Sequence, residues 1–229
     1  MSTLATFEAL FARRVRDAAA KIAPDDVGGA IQQAVKRYAS VRPVEGVQDY
    51  AGDGVVYDLA LPTGFVDGWS TVLAIEYPQG EREPTYIEKE DWIFYRTTTS
   101  LKIRLLAVTP AAGKTARVTF TKLHTVDGSG STIPAPDEDA VADLAGAIGL
   151  RQLAAVYANT VDASIAADSV DYKSKASEYS RLANELEKQY RKHLGLDDES
   201  ETPAAMGFTD VDQTDSLGRD KLTHPNRNR

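Results

Sequence analysis

Apolar residues recur with the period of a helix at both ends of the chain and with the period of a strand in between. Over residues 4–23, Phe7, Leu10, Phe11, Val15, Ala18 and Ile22 fall on or near one face, which predicts an amphipathic helix with Thr6 as a cap near its start. Pro24-Asp25-Asp26 restarts the pattern, with an aspartate expected at or near the N-cap and Val27, Ile31, Ala34, Val35 and Tyr38 as the apolar side. Pro43 ends it. A third helix is expected over 137–159 and is built almost wholly of small or apolar residues: Ala140, Val141, Leu144, Ala145, Ala147, Ile148, Leu153, Ala154 and Ala155. Such a helix lets neighbouring backbones come close and belongs inside a packed bundle. The last helix carries Tyr172, Ala176, Tyr179, Ala183, Leu186 and Tyr190 in one stripe, with charged residues on its other faces.

Between 45 and 126 the period falls to two. GVVYDLALP sets Val55, Tyr57, Leu59 and Leu61 on one face, and STVLAIEYP does the same with Thr71, Leu73, Ile75 and Tyr77 before a turn at Pro78-Gln79-Gly80. EPTYIEKEDWIFYRT, SLKIRLLAV and TARVTFTKLHTV complete five or six antiparallel strands, expected as a small meander or open barrel. Gly128-Ser129-Gly130-Ser131 and Ile133-Pro134-Ala135-Pro136 suggest a flexible linker with a stiffer end. Thr160–Val170 is a polar connection in which Asp162, Ser164, Asp168 or Ser169 could cap the last helix. From Gly195 the apolar pattern stops, and acids precede most of the bases; alone in solution this segment is expected to be disordered.

The expected fold is therefore α+β: an antiparallel bundle of about four helices with a small antiparallel β module inserted. Residues 1–44 supply the N-terminal helices, 45–130 the β module, 131–195 the C-terminal helices, and 196–229 a disordered or extended tail.

Composition narrows the function. The 229 residues contain no cysteine, which excludes disulfides and thiolate metal sites. A net charge of −8 argues against a protein that coats nucleic acid and is most simply an aid to solubility, without excluding a surface that DNA must pass without sticking. No apolar run approaches a membrane span, and the N-terminal stretch lacks the order of a signal peptide, so a soluble protein is expected.

Candidate chemistry is sparse. His124, with Asp127, Ser129 and Ser131 close behind, has the residue types of a nucleophilic site, but the serines lie in a Gly-Ser stretch and no nucleophile-elbow motif occurs. The favoured reading is a solvent-facing histidine at a strand end. His193 is expected to complement the negative end of the last helix, and His224 at most to contact a partner. Asp137, Glu138 and Asp139 are read as first-turn acids rather than metal ligands, and Asp162, Asp168 and Asp171 lack the spacing of a calcium loop. Gly28-Gly29 lies inside a helical pattern, not a phosphate cradle. The aromatics of 86–95 lack interleaved cations, which favours core or interface over base stacking. No catalytic, cofactor-binding or metal-binding residue is assigned.

Three stretches carry a resemblance: VYDLALPTGFVDGWSTVLAIEYPQGEREPTYI, LLAVTPAAGKTARVTFTKLHTV and, above all, LRQLAAVYANTVDASIAADSVDYKSKASEYSRLANELEKQYRKHLG. With the order of elements, they resemble the head–tail connector (adaptor) proteins of tailed bacteriophages over about residues 5–195. The resemblance implies a virion structural protein, made in the host cytoplasm, without enzymatic activity or cofactor. It implies a homo-oligomeric ring, usually dodecameric, at the head–tail interface. The ring's partners would be the portal protein and downstream neck or tail proteins, and genomic DNA would pass through its channel without sequence-specific binding or any contact with membrane. A stopper or tail-completion protein is the alternative, and a virion-associated hydrolase a third.

Overall fold

A computed structural model describes residues 2–17, 20–159 and 172–196. The expected mixture of helix and antiparallel sheet is present, with four α-helices and two small sheets among these residues. The readings placed on 160–171 and 197–229, including the Thr160–Val170 caps, Asp162, Asp168, Asp171, His224 and the tail, lie outside the described residues.

Helix α1 spans Leu4–Val15, shorter than the expected 4–23. It stops because Arg16 adopts a left-handed conformation (φ 48°) while its N–H still reaches Ala12 O (3.0 Å). Its N-cap is Thr3; Thr6 stands one turn in, where its Oγ1 accepts the Thr3 N–H (3.3 Å). Helix α2, Pro24–Val41, has Ala23 rather than an aspartate at its N-cap, because Pro24 takes the first helical position and moves Asp25 and Asp26 into the first turn. Ala30, Ile31, Ala34, Val35, Tyr38 and Ala39 form its buried side.

Helix α3, Glu138–Asn159, packs against α1, α2 and α4 (Tyr172–Leu194), and this explains its composition. Its buried residues run round most of its circumference, from Ala140 to Ala154. At Gly149 a side chain would run into the Phe11 ring, so the missing Cβ is what lets α1 approach. At Gly146 a Cβ would lie 3.2 Å from Leu186 Cδ1 on α4. The α4 stripe is used within the same chain: Ala183 and Tyr190 are buried, and Tyr179 stacks on Tyr157 of α3 at 5.4 Å between ring centroids. Gly195, with φ +71°, follows the last residue of α4 as a left-handed cap.

The β unit is not a meander. Strands β1 (Val44–Ala51), β6 (Thr115–Lys122) and β3 (Val72–Glu76) form one sheet in the order β1-β6-β3; β2 (Asp58–Ala60), β5 (Leu101–Leu105) and β4 (Trp92–Arg96) form the other in the order β2-β5-β4. All pairs are antiparallel, but only β4 and β5 are neighbours both in sequence and in space. The two sheets share one core, with Ile75 and Val118 from the first meeting Leu59, Ile103 and Leu105 from the second.

Two local departures have physical causes. A register shift between Val72 and Ala74 leaves Leu73 about half exposed while Ile75 is buried, although the alternation had set both on one face. The stretch before β2 is not strand, so Val55 and Tyr57 are exposed rather than aligned with buried Leu59.

The Gly-Ser segment is not a free linker. Val126 and Ile133 are buried, Leu4 N–H donates to Asp127 O (2.9 Å), and Gln32 Nε2 donates to Val126 O (3.1 Å). Residues 123–137 form a strap bound to α1 and α2.

Candidate functional site

The densest group of polar side chains lies where the helices meet the β unit. The strap delivers Asp137 to the start of α3, with 5% of its surface exposed. Its carboxylate accepts hydrogen bonds from the Tyr38 hydroxyl on α2, from Arg42 Nη1 just beyond α2 (2.9 Å) and from His193 Nε2 at the end of α4 (2.7 Å). Burial alone would raise the Asp137 pKa, but the bonds from Tyr38, His193 and Arg42 outweigh it and hold the carboxyl below its ordinary range. Burial, with the Asp137 carboxylate beside it, pushes the Tyr38 hydroxyl well above its ordinary value. A charged acceptor that gathers donors from α2, the residue capping α2 and α4 acts as a clasp.

His124, two residues beyond Lys122 at the end of β6, is buried and not solvent-facing. Its Nε2 donates to Arg42 O (2.9 Å), which leaves Nδ1 to accept from the Thr132 hydroxyl (3.1 Å). The ring also packs on Tyr38, with centroids 4.9 Å apart. Burial is the largest influence on its pKa and lowers it. Neither ring nitrogen meets Asp127, Ser129 or Ser131. Asp127 Oδ1 instead accepts from the Ser129 hydroxyl (2.5 Å) and from the Ser129 and Gly130 N–H groups, closing its own turn, while Ser131 Oγ accepts the Ile133 N–H (3.0 Å). The residues of the sequence-nominated nucleophilic site are thus near one another in the chain but not joined in space.

Glu138 and Asp139 do stand in the first turn of α3, where Ser2 Oγ donates to Glu138 (2.6 Å) and Arg14 pairs with Asp139 (2.9 Å). Asp137 does not share that role. Among three adjacent acids only tertiary contact singles it out, and nothing in the local sequence marks it. His193 sits at the end of α4 as expected, but its partner is the Asp137 side chain rather than the helix terminus alone. A cavity of about 480 Å³ adjoins the clasp, between Tyr38, Arg42, Val44, His124 and Asp137. No group of three or more His, Asp or Glu among the described residues is placed to hold a metal ion, and no described helix is long and apolar enough to cross a membrane.

The second distinctive surface belongs to the β unit. Among the described residues, every exposed large hydrophobic side chain apart from Val41 lies in it, including Val47, Tyr86, Ile93, Phe94, Tyr95 and Leu106. On the outer face of the second sheet, Arg104 is held by Asp58 through two bonds (2.7 and 2.8 Å) and lies over the Tyr95 ring at 3.5 Å. The hydrogen bonds from Arg104 lower the Asp58 pKa, and the same pairing raises that of Arg104. Exposed aromatic and aliphatic groups around a fixed guanidinium have the composition of a protein–protein contact.

No family model and no curated protein matches this sequence. Among solved structures, it is similar to a chain in the neck of a native GTA particle computed with C12 symmetry. The identity is 16%, the alignment covers 78% of this chain and 92% of that one, and the TM-score is 0.29. A chain in the neck of an empty GTA particle computed with C6 symmetry is 14% identical over 67% of this chain and 76% of that one, with a TM-score of 0.28. A chain in the virion of the native gene transfer agent (GTA) particle is 14% identical over 78% and 92%, with a TM-score of 0.30. At scores of this size the superposition establishes no common arrangement of the elements, and the symmetries belong to those particles.

Proposed function

We propose that this chain is a structural protein of a phage-like virion neck: a head–tail adaptor that forms a ring between the portal and the next neck or tail component and extends the DNA channel. One observation carries the reading. Helices from both ends of the chain pack on the small-residue helix α3, while the segment between them leaves as a separate β unit with exposed apolar side chains. That division gives a helical bundle to build the ring and a second surface for a neighbour, the arrangement that the sequence resemblance to connectors implies. The acidic balance of −8 suits a channel through which DNA moves without being held. Residues 196–229 would dock on the portal, folding against it as they bind. The reading assigns the chain no catalytic step.

A reconstruction of the particle neck tests the proposal. A ring of this chain beneath the portal is expected; its absence from the neck, or a single copy there, overturns the reading. Particles assembled with a chain ending at Gly195 test the docking role separately. The truncated chain should stay folded and be incorporated poorly, and normal incorporation refutes docking through 196–229.

A further inference from the structure

The two sheets have four edges, and the β unit covers that of β3 with backbone bonds of its own. Beside β3, Ile87 N–H donates to Ile75 O (2.8 Å) and Tyr77 N–H to Thr85 O (2.9 Å). Beside β2, the Ala60 carbonyl accepts the Tyr50 hydroxyl (2.6 Å). That strand is only three residues long, and the longer open edges are β1 and β4. The β1–β6 ladder continues through Gly52 N–H to Lys114 O (2.7 Å), so even-numbered β1 residues bond to β6, while Glu45, Val47, Asp49 and Ala51 turn their N–H and C=O groups outward. In β4, Leu106 N–H to Asp91 O (2.7 Å) and Thr97 N–H to Ser100 O (2.8 Å) assign the odd residues to β5. Trp92, Phe94 and Arg96 therefore face outward. Those outward groups have no backbone partner among the described residues.

An uncovered edge is a template for another strand. The two edges fit each other better than either fits itself. Setting Phe94 opposite Val47 in an antiparallel ladder joins two apolar side chains that are 43% and 57% exposed, and brings Arg96 opposite Glu45. Every outward N–H and C=O of Trp92, Phe94 and Arg96 then finds a partner on Asp49, Val47 and Glu45. Pairing β1 with a second β1 about Val47 would instead oppose Glu45 and Asp49, two like charges. Pairing β4 with a second β4 would leave the acidic edge of β1 uncovered. Arg96 now holds Asp67 (2.5 Å) in an exposed ion pair, which is cheap to exchange.

We propose that β4 of one copy pairs antiparallel with β1 of the next, Phe94 opposite Val47 and Arg96 opposite Glu45. The contact uses different surfaces on its two sides, so it is heterologous and closes into a ring when the rotation per copy permits. It rests on the ring reading above for the identity of the partner, a second copy of this chain.

The chain has no cysteine, so cross-linking reports only introduced thiols. Facing residues of a hydrogen-bonded antiparallel pair lie about 5.5 Å apart at Cα, within reach of a disulfide. The full chain carrying Val47→Cys and Phe94→Cys together is oxidised free at high concentration and in assembled particles. A second pair, Glu45→Cys with Arg96→Cys, changes only exposed side chains and serves if the first perturbs folding. Each double variant should give a ladder of multimers on a non-reducing gel, and each single variant only monomer. A dimer from a single variant means like edges pair, and it overturns the proposal; so does the absence of multimers from both double variants in both settings. Arg96→Glu and Glu45→Arg should each abolish the Val47→Cys/Phe94→Cys ladder, and their combination should restore it. Failure of that rescue overturns the register. A ring in the particle neck without cross-links overturns the strand pairing and leaves the neck reading intact; a ladder from the free chain, with the chain missing from necks, does the reverse.

Discussion

Removing the Asp137 carboxylate by Asp137→Ala deprives three donors of one acceptor, and their exposures decide the size of the effect. Tyr38 is 1% exposed, so its hydroxyl is left buried without a partner, at a cost of about 1–3 kcal/mol. The Arg42 and His193 side chains are 47% and 41% exposed, so water replaces the lost bonds and the orphaned Tyr38 hydroxyl dominates the effect. The loss is therefore about 1–3 kcal/mol, which for a chain of this size lowers the melting temperature by roughly 2–12 °C. Thermal unfolding at pH 7, followed by circular dichroism, reads the shift. The decisive variant is Asp137→Ala with Tyr38→Phe, which removes the orphaned hydroxyl and should recover the larger share of the loss. The sign with pH is also fixed. Because the folded-state pKa of Asp137 is depressed, its contribution is complete above the ordinary carboxylate range and is lost as pH falls through the folded value, so wild type and Asp137→Ala should converge in acid. A melt of Asp137→Ala within about 2 °C of wild type, less than the shift for 1 kcal/mol, would refute the clasp. So would a double variant no more stable than the single one.

Gly149→Ala should destabilise by about 1–3 kcal/mol through overlap with the Phe11 ring, whereas Gly28→Ala, with open space around it in α2, should stabilise by up to about 1 kcal/mol; urea midpoints of the two variants must move in opposite directions. His124 has a lowered folded-state pKa, so its contribution is complete above the ordinary histidine value of 6.5 and is lost as pH falls. His124→Gln should therefore flatten the fall in urea midpoint between about pH 7.5 and 5 relative to wild type, and an unchanged slope contradicts the burial argument. The Tyr190 hydroxyl is buried without a hydrogen-bond partner among the described residues, so Tyr190→Phe should be neutral or stabilising by about 1 kcal/mol, and a loss above about 1 kcal/mol would reveal a bond that the packing does not show.

Helical periodicity was readable because each core position in a helix is set by its neighbours three and four residues away. Ile31, Ala34, Val35 and Tyr38 are buried together, and the small residues of α3 lie where other helices touch it. Strand order was not readable, since it depends on which distant segments meet. Strand β1 shows little alternation because Gly46 occupies an inward position whose space is filled from the opposite strand: a Cβ there would lie 2.8 Å from the Phe120 ring. The clasp was hidden for the same reason. His124 looks like a strand-end residue until the strap folds over it, and Asp137 looks like its acidic neighbours until Tyr38, Arg42 and His193 arrive from 99, 95 and 56 residues away. The aromatics of 86–95 divide only once the sheet is formed: Trp92 packs against the β core, while Phe94 and Tyr95 stand at an edge and remain exposed.

The clasp and the open edges are connected through the way the β unit is mounted. The chain enters it from α2 through Arg42-Pro43 and leaves it through His124, and these crossings are tied together by the bond from His124 Nε2 to Arg42 O. One step into the unit, Val44 and Lys122 form the first pair of the β1–β6 ladder. Arg42 also binds Asp137, so the same residue that fixes the entrance of the β unit fixes the start of α3. A module joined by a single strand could swing about it; one joined by two paired strands and a shared carboxylate has its orientation set by the helices. That rigidity matters for a heterologous contact, because closure of a ring depends on the angle between the two surfaces that each copy presents. The clasp variants therefore bear on assembly as well as on folding: Arg42→Ala, which loses an exposed ion pair of small energetic weight, should leave the chain folded while loosening the mounting of the β unit.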